Sequence, residues 1–449
     1  MSNLQDHKKL FVFGKRFAGF AGILLVSFLL LACENLIMND GGSLIIAVPG
    51  ARAASASSYT IELTGANGST QRKTVAGGTT AQFDDLDPDT YTISVKGTNE
   101  SVVVLYGTSS ATVSAGATAS ATVKLGAVAN DLNSLQQAVT AGGIVYIGSS
   151  IDVTSSLTVN TDVTLLPAYK NVTLTKAGDI ELISVTAGKL TVGGNDYTIT
   201  LDGDSSNITS TKNLIKVNGA GSTIYLNRNS VVMNNAGTGV SITGANALNS
   251  GKAFGYLNGG TISNNKSGGV SLSSAEFVMN GGSINGNSLN SQISGGAAVN
   301  MVSSNTSFVM KGGTITGNTV TGTNGGAIYA NSGSSFTMEG GIITNNTTTG
   351  NGKGVYFGGS GSLKIGGSAV IDSNNDVCFG ERYTLKITST LTGATTVATI
   401  TPETYSAGTQ VLSAENGVNL ADEVEKFEVT PNDAGEWVIT EEGKLQQVQ

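Results

Sequence analysis

Short runs in which apolar and polar residues alternate fill most of the chain, the period of a half-buried strand. Leu44-Ile45-Ile46-Ala47-Val48 and Tyr59-Thr60-Ile61-Glu62-Leu63 open the series. Between Phe83 and Val95 a Pro88-Asp89 turn joins a short strand to an alternating one, with Tyr91, Ile93 and Val95 on one side. Val113 and Val123 mark two more strands, rich in Ala, Ser and Thr. At Asp131 the period changes. Leu132, Leu135, Ala138 and Val139 are spaced as on one face of a helix, with Asp131 as N-cap and Gly142-Gly143 as the stop. Strands resume at once, with Ile144–Ile147, Leu157–Val159, Val163–Leu166 and Val172–Leu174.

A repeat then takes over. Phe277-Val-Met279-Asn-Gly281-Gly282-Ser-Ile284-Asn-Gly-Asn287 returns as Phe308-Val-Met310-Lys-Gly312-Gly313-Thr-Ile315-Thr-Gly-Asn318. It returns again as Phe336-Thr-Met338-Glu-Gly340-Gly341-Ile-Ile343-Thr-Asn-Asn346. Weaker copies place Leu257, Ile262 and Asn265, and before them Ile224, Leu226, Val231 and Asn234, in the same frame. Each copy is followed by a second apolar strand at Val240, Val270, Val299, Ile328 and Val355.

This frame predicts an all-β chain whose main part is a right-handed parallel β-helix, a solenoid of short strands joined by tight corners. Equivalent apolar residues point inward and stack from coil to coil, Phe277, Phe308 and Phe336 among them. Gly serves the corners that need φ > 0. Asn tolerates left-handed corners, and Asn234, Asn265, Asn287, Asn318 and Asn346 are expected to stack as an amide ladder. The helix at Asp131 would cover the open first coil. Length varies mostly at one corner, which reads Ser288–Ser294, Thr319–Asn324 and Thr347–Lys353, and in the loop at 243–253. These stretches are rich in hydroxyls and amides, and loops on one side of a rigid scaffold are the natural binding surface.

Three resemblances extend this reading. The F-x-x-L-x-P-x-x-Y-x-I-x-V string from Phe83 resembles the small prealbumin-like or carboxypeptidase-regulatory-like β-sandwich modules of bacterial surface proteins, which implies one sandwich over 43–127. Residues 131–400 resemble the pectin-lyase-like β-helix family. Their G-G-x-I-x-x-N repeats are similar to those of repeat-rich surface lipoproteins of spirochaetes and some gut bacteria. Residues 401–449, with Phe427-Glu-Val429, Trp437-Val-Ile439 and Leu445, are read as a C-terminal β capping unit.

The start of the chain carries an address. Lys8, Lys9, Lys15 and Arg16 precede an uncharged apolar stretch from Phe17 to Ala32, shorter than the roughly 20 residues of a spanning helix. It ends in Leu30-Leu31-Ala32-Cys33, which resembles the lipobox of bacterial lipoproteins. The resemblance implies a signal peptide over 1–33, a lipidated Cys33 at the mature N-terminus and a polar tether over 34–42. It implies a protein anchored in the bacterial outer membrane by its lipid, facing the surface or the periplasm.

Composition narrows the chemistry. The one His, His7, falls within the signal segment, so no imidazole remains for a triad, a general base or a metal ligand. The two Cys, Cys33 and Cys378, are too few for a thiolate zinc site, and Cys378 is expected to be a buried small hydrophobe. Net charge is −8 with dispersed basic residues, a poor match for nucleic acid. No cofactor and no metal is expected.

Glycan cleavage needs paired carboxylates, and from Ser205 to Met338 the sequence has one, Glu276. Asp196, Asp202 and Asp204, and Asp372, Asp376 and Glu381, are the remaining clusters. Asp202-Gly203-Asp204 resembles the acid pair of polygalacturonases, without their His, Asn-x-Asp and Arg-x-Lys partners. The expectation is therefore a non-catalytic surface scaffold or adhesin with a carbohydrate or matrix-protein ligand. The alternative is a polysaccharide lyase or hydrolase using Asp202 and Asp204.

Overall fold

A computed structural model describes residues 41–48, 56–245, 251–290, 295–322, 324–331 and 333–449. The expected lipidation site, Cys33, lies outside the described residues. The chain divides into two compact units, one ending at Thr98 with Thr108–Lys124 added, the other formed by Asn99–Gly107 and Leu125–Gln449. Residues 99–107 and 125–127, expected in the small N-terminal unit, thus belong with the larger one. Leu105 and Tyr106 pair there with Ala127 and Gly126.

In the smaller unit Gly42–Ala47 pairs antiparallel with Thr80–Leu86 and parallel with Thr118–Thr122. Ser58–Thr64 pairs antiparallel with Thr70–Val75 and Asp89–Asn99. Alternation decides which side is dry: Leu44, Ile46, Ile61, Phe83 and Ile93 are fully buried, with polar residues between them. The acidic turn is tied into this framework. Asp84 accepts from Ser43 and Gln82, and Asp89 from the Ala66 amide.

The larger unit carries its helix at Leu132–Ala141. Asp131 accepts from the Ser134 amide at 2.7 Å, and the Ser134 hydroxyl completes a capping box. Leu135 and Val139 are the buried face.

Beyond the helix the strands fall into three rows of parallel pairs. The first runs from Gly143–Ile147 through the Phe-bearing strands to Leu385–Leu391 and Leu412–Ala414. The second runs from Ile151–Val153 through the short strand Thr314–Thr316 and the ends of long strands at Ile284, Ile343 and Ile371. The third is a sheet of 11 strands from Leu157–Val159 to Phe427–Val429. Large parallel sheets in an all-β chain, with successive coils in register, fit a β-helix. The stacking continues past residue 400, where the capping unit was expected to begin. Leu412 pairs with Leu385, and Phe427 with Ala398. Only Trp437–Ile439 and Leu445–Gln447 form an antiparallel closing pair. Pro402 is the last residue of Ala398–Pro402 and lies opposite Phe379.

The core is a set of in-register columns. Phe277, Phe308 and Phe336 are paired in successive strands, with ring centroids 5.6 and 5.2 Å apart, and all three are buried. Met279, Met310 and Met338 form a second column, and Ile284, Ile315 and Ile343 a third. At the head of the Phe column stands Gly255, paired with Phe277. A Cβ there would lie 2.4 Å from Ile242 Cδ1 and 2.8 Å from the Phe277 ring, so its absence gives the first ring its space. The Gly-Gly doublets are explained by their second members, Gly282, Gly313 and Gly341, at φ 90°, 88° and 91°.

Candidate functional site

The corner with the longest insertions is organised by an asparagine ladder. Asn265, Asn287, Asn318 and Asn346 are all buried. Each Nδ2 donates to Oδ1 of the asparagine one coil on, at 2.9 to 3.0 Å, and each backbone N–H donates to that same Oδ1. The run closes at Asn375, whose Nδ2 returns to the backbone oxygens of Asn346 and Asn374. The expected first member is displaced by one. Asn234 holds a left-handed corner at φ 57°, and Asn235 is the buried residue whose amide N–H donates to Asn265. The same pairing recurs down the stack: Asn264, Gly286, Gly317 and Asn345, at φ 55° to 65°, each precede a ladder asparagine. The left-handed residue turns the chain, and its successor points inward.

At the opposite end of the ladder is Lys176, which is fully buried. Its Nζ donates to Asn235 Oδ1 at 3.2 Å and to the Lys212 and Ser210 carbonyls at 3.3 and 3.4 Å. Burial pulls this ammonium below the ordinary lysine range, opposed by the charges of Asp179 and Glu181.

Outside the ladder the insertions themselves stack. Ser288–Asn290, Thr319–Thr321 and Thr347–Thr348 form a small parallel sheet. The Thr319 and Thr347 hydroxyls meet at 3.0 Å, Thr349 Oγ1 accepts from the Gly322 amide, and Asn324 Oδ1 accepts from that of Asn351. The insertions are thus rungs of a polar face. Residues 291–294 and 323 of these stretches lie outside the described residues.

Next to this corner one register of the third row holds two tyrosines that the sequence pattern does not single out and Cys378, which is buried as expected. Asn300, Tyr329, Tyr356, Cys378 and Thr401 occupy one register. The Tyr329 and Tyr356 rings are stacked at 5.7 Å, 4° from parallel, and both residues are half-buried. The Tyr356 hydroxyl donates to Glu403 Oε1. Burial, then the Glu403 carboxylate, push that phenol well above its ordinary range. The buried Cys378 thiol is pushed up to about 12, chiefly by burial, so it is inert as a nucleophile near neutral pH. Asn300 Oδ1 is buried without a hydrogen-bond partner at the head of the row. The signal was present as Ile328-Tyr329-Ala330 and Val355-Tyr356-Phe357, one residue past each apolar anchor. A second stack, Tyr225 on Tyr256 at 4.8 Å, lies on the first row.

The carboxylate clusters are engaged locally. Asp202 Oδ1 accepts from the Asp204 amide at 2.9 Å, and Asp204, at φ 47°, accepts from Ser206 and Asn207. Asp196 pairs with Arg228 at 3.0 Å on the surface. Asp372 accepts from Thr344, and Asp376 from the Lys353 amide. Asp179 and Glu415 are held below the ordinary carboxylate range by hydrogen bonds from Ser210 and Lys364, opposite to what a general acid requires. Among the described residues no group of three or more His, Cys, Asp or Glu is placed to hold a metal ion. Compared with known proteins, the chain matches no family model, no curated protein and no solved structure.

Proposed function

We propose that this chain is a non-catalytic, lipid-anchored envelope protein of a bacterial cell. In this reading its right-handed parallel β-helix is a scaffold that presents the polar corner and the tyrosine row to a carbohydrate or matrix-protein ligand. The handedness follows from the strong preference of parallel crossovers. The pectin-lyase-like resemblance, the 43–127 sandwich and the Cys33 anchor stand as parts of the same proposal. One observation carries it: three insertions from consecutive coils line up as rungs beside two stacked, half-exposed tyrosines, while the nearby carboxylates are taken up by hydrogen bonds within the fold. Hydroxyls, amides and aromatic rings on a rigid backing recognise polar, partly apolar ligands such as sugars with little ordering cost.

The test is a glycan and matrix-protein array probed with the chain from Glu34 onward. Saturable binding, weakened at least about tenfold by Tyr356→Ala as expected for a central aromatic contact, supports the reading. Release of reducing sugar, abolished by Asp202→Ala with Asp204→Ala, overturns it in favour of a glycan-cleaving enzyme. Protease treatment of intact cells tests the location: cleavage of the chain places it on the outer surface, and protection places it in the periplasm.

A further inference from the structure

The turn between Phe427–Val429 and Trp437–Ile439 is closed by a single bridge. Asn432 and Gly435 exchange backbone hydrogen bonds at 3.2 and 3.0 Å, and Trp437 Nε1 donates to Asn432 Oδ1 at 3.1 Å. Beyond that bridge the two arms part. Phe427–Val429 runs parallel to Ala398–Ile400 as the final strand of the 11-stranded row. Trp437–Ile439 turns aside to pair with Leu445–Gln447. Pro431, which has no N–H to offer a ladder, sits at the fork. Among the described residues, no strand pairs with the outer edge of Phe427–Val429.

An open groove of about 590 Å³ lies between the arms, lined by the half-buried Val429 and Ile439 and by the edges of the buried Phe427 and Trp437. Its remaining walls carry Glu425, Glu428 and Glu436, and none of the described residues lining it is basic. A bare strand edge beside an apolar lining is the arrangement that accepts an added strand, whose backbone supplies hydrogen bonds and whose alternate side chains supply specificity. The three carboxylates choose the strand. A second copy of this edge would bring glutamates against glutamates, and an anionic strand would be repelled in the same way.

We propose that this groove docks an extended peptide segment in which Lys or Arg alternates with aliphatic residues. The segment adds to the edge of Phe427–Val429, with its aliphatic side chains on the apolar lining and its cations on the glutamates. The surface is separate from the corner and tyrosine row proposed above to take the ligand, and the two readings stand or fall independently.

Trp437 is the one tryptophan in the chain, so its emission reports on the groove directly. The probe is the capped peptide (Lys-Val)3, titrated into the chain from Glu34 onward, with (Lys-Gly)3 and (Glu-Val)3 as comparisons. Saturable change in Trp437 emission with (Lys-Val)3 alone is expected. It should weaken with added salt and about tenfold in Glu428→Gln with Glu436→Gln, two charge pairs removed. Circular dichroism on that variant checks that the fold survives loss of the Thr396–Glu428 hydrogen bond. Three results overturn the proposal: no change with (Lys-Val)3, an equal change with (Lys-Gly)3, or an emission change on concentrating the chain alone, which would put a second copy in the groove.

Discussion

A buried asparagine in the ladder satisfies more backbone than it occupies. Asn287 receives the Asn265 amide and Nδ2 at its Oδ1 and donates from Nδ2 to Asn318 Oδ1 and the Ile262 carbonyl. Asn287→Ala leaves several of these groups dry and unpaired, at about 1–3 kcal/mol each before relaxation. A net loss of about 2–4 kcal/mol in urea unfolding is expected, well above that for the exposed Asn290→Ala. Lys176 makes a second prediction, with its sign fixed by linkage. Burial lowers the folded-state pKa, so between that value and the ordinary 10.5 the unfolded chain binds more protons and stability rises with pH. The urea midpoint of the native chain should therefore gain on that of Lys176→Met as pH is raised from about 7 to about 10. A pH-independent difference between the two would remove the buried cation from the account. At this scale the sequence revealed four ladder asparagines, misplaced one and missed one. Asn234-Asn235 is a doublet in which either residue could turn inward, and only the left-handed φ of Asn234 separates them. Asn375 ends a coil that keeps the frame at Leu363 and Ile365, but it lies farther from its Gly366-Gly367 pair than the other ladder asparagines lie from theirs, so spacing does not mark it. The tyrosine row was overlooked because outward strand positions were treated as plain surface.

Among the strands, register was the legible part. A column forms when the same side chain returns at the same pairing position, and Phe277, Phe308 and Phe336 announce this by identity. The insertions between them have no effect on the column because they leave the strands at a corner. Their own pairing into a fourth, short row is not legible, since Ser-Leu-Asn, Thr-Val-Thr and Thr-Thr share no obvious pattern. Gly255 tests the columns from the side of excess volume. Gly255→Val drives a side chain into Ile242 and the Phe277 ring and should cost about 1–3 kcal/mol. Phe308→Ala tests the opposite error. It opens a void between two rings and should cost about 3–5 kcal/mol, and a value near that of a surface substitution would mean the rings are not packed.

Across the whole molecule, parallel stacking implies that stability resides in contacts between adjacent coils. Removing residues 308–335 joins Ser307 to Phe336, so that Phe277, Met279 and Asn287 would meet Phe336, Met338 and Asn346, the partners that Phe308, Met310 and Asn318 now meet. This deletion should preserve the strand signature in circular dichroism with a modestly lower Tm. Removing 310–338, one residue longer, joins Val309 to Glu339, slips the strand by one and turns a carboxylate into the Met column, and should unfold the neighbouring coils. Equal behaviour of the two deletions would show that register does not organise the stack. The extent of stacking is the least legible property at this scale: Phe427–Val429 carries no copy of the repeat and reads as part of a closing unit, while pairing with Ala398–Ile400 carries the stack on to it.

The ladder amides all face one way, which gives the stack a grain. Each asparagine from Asn265 onward offers its hydrogens to the residue yet to come and turns its oxygen to the one already laid down. Coils added from the N-terminal end therefore build against a ready template: each ladder asparagine exposes two hungry hydrogens, and the next coil quenches them. Lys176 anchors the beginning of this zip, and Asn375 finishes it by folding its own hydrogens back on the chain. Assembled in the reverse order, each coil of the ladder would begin with bare oxygens, so the interior distinguishes its two ends.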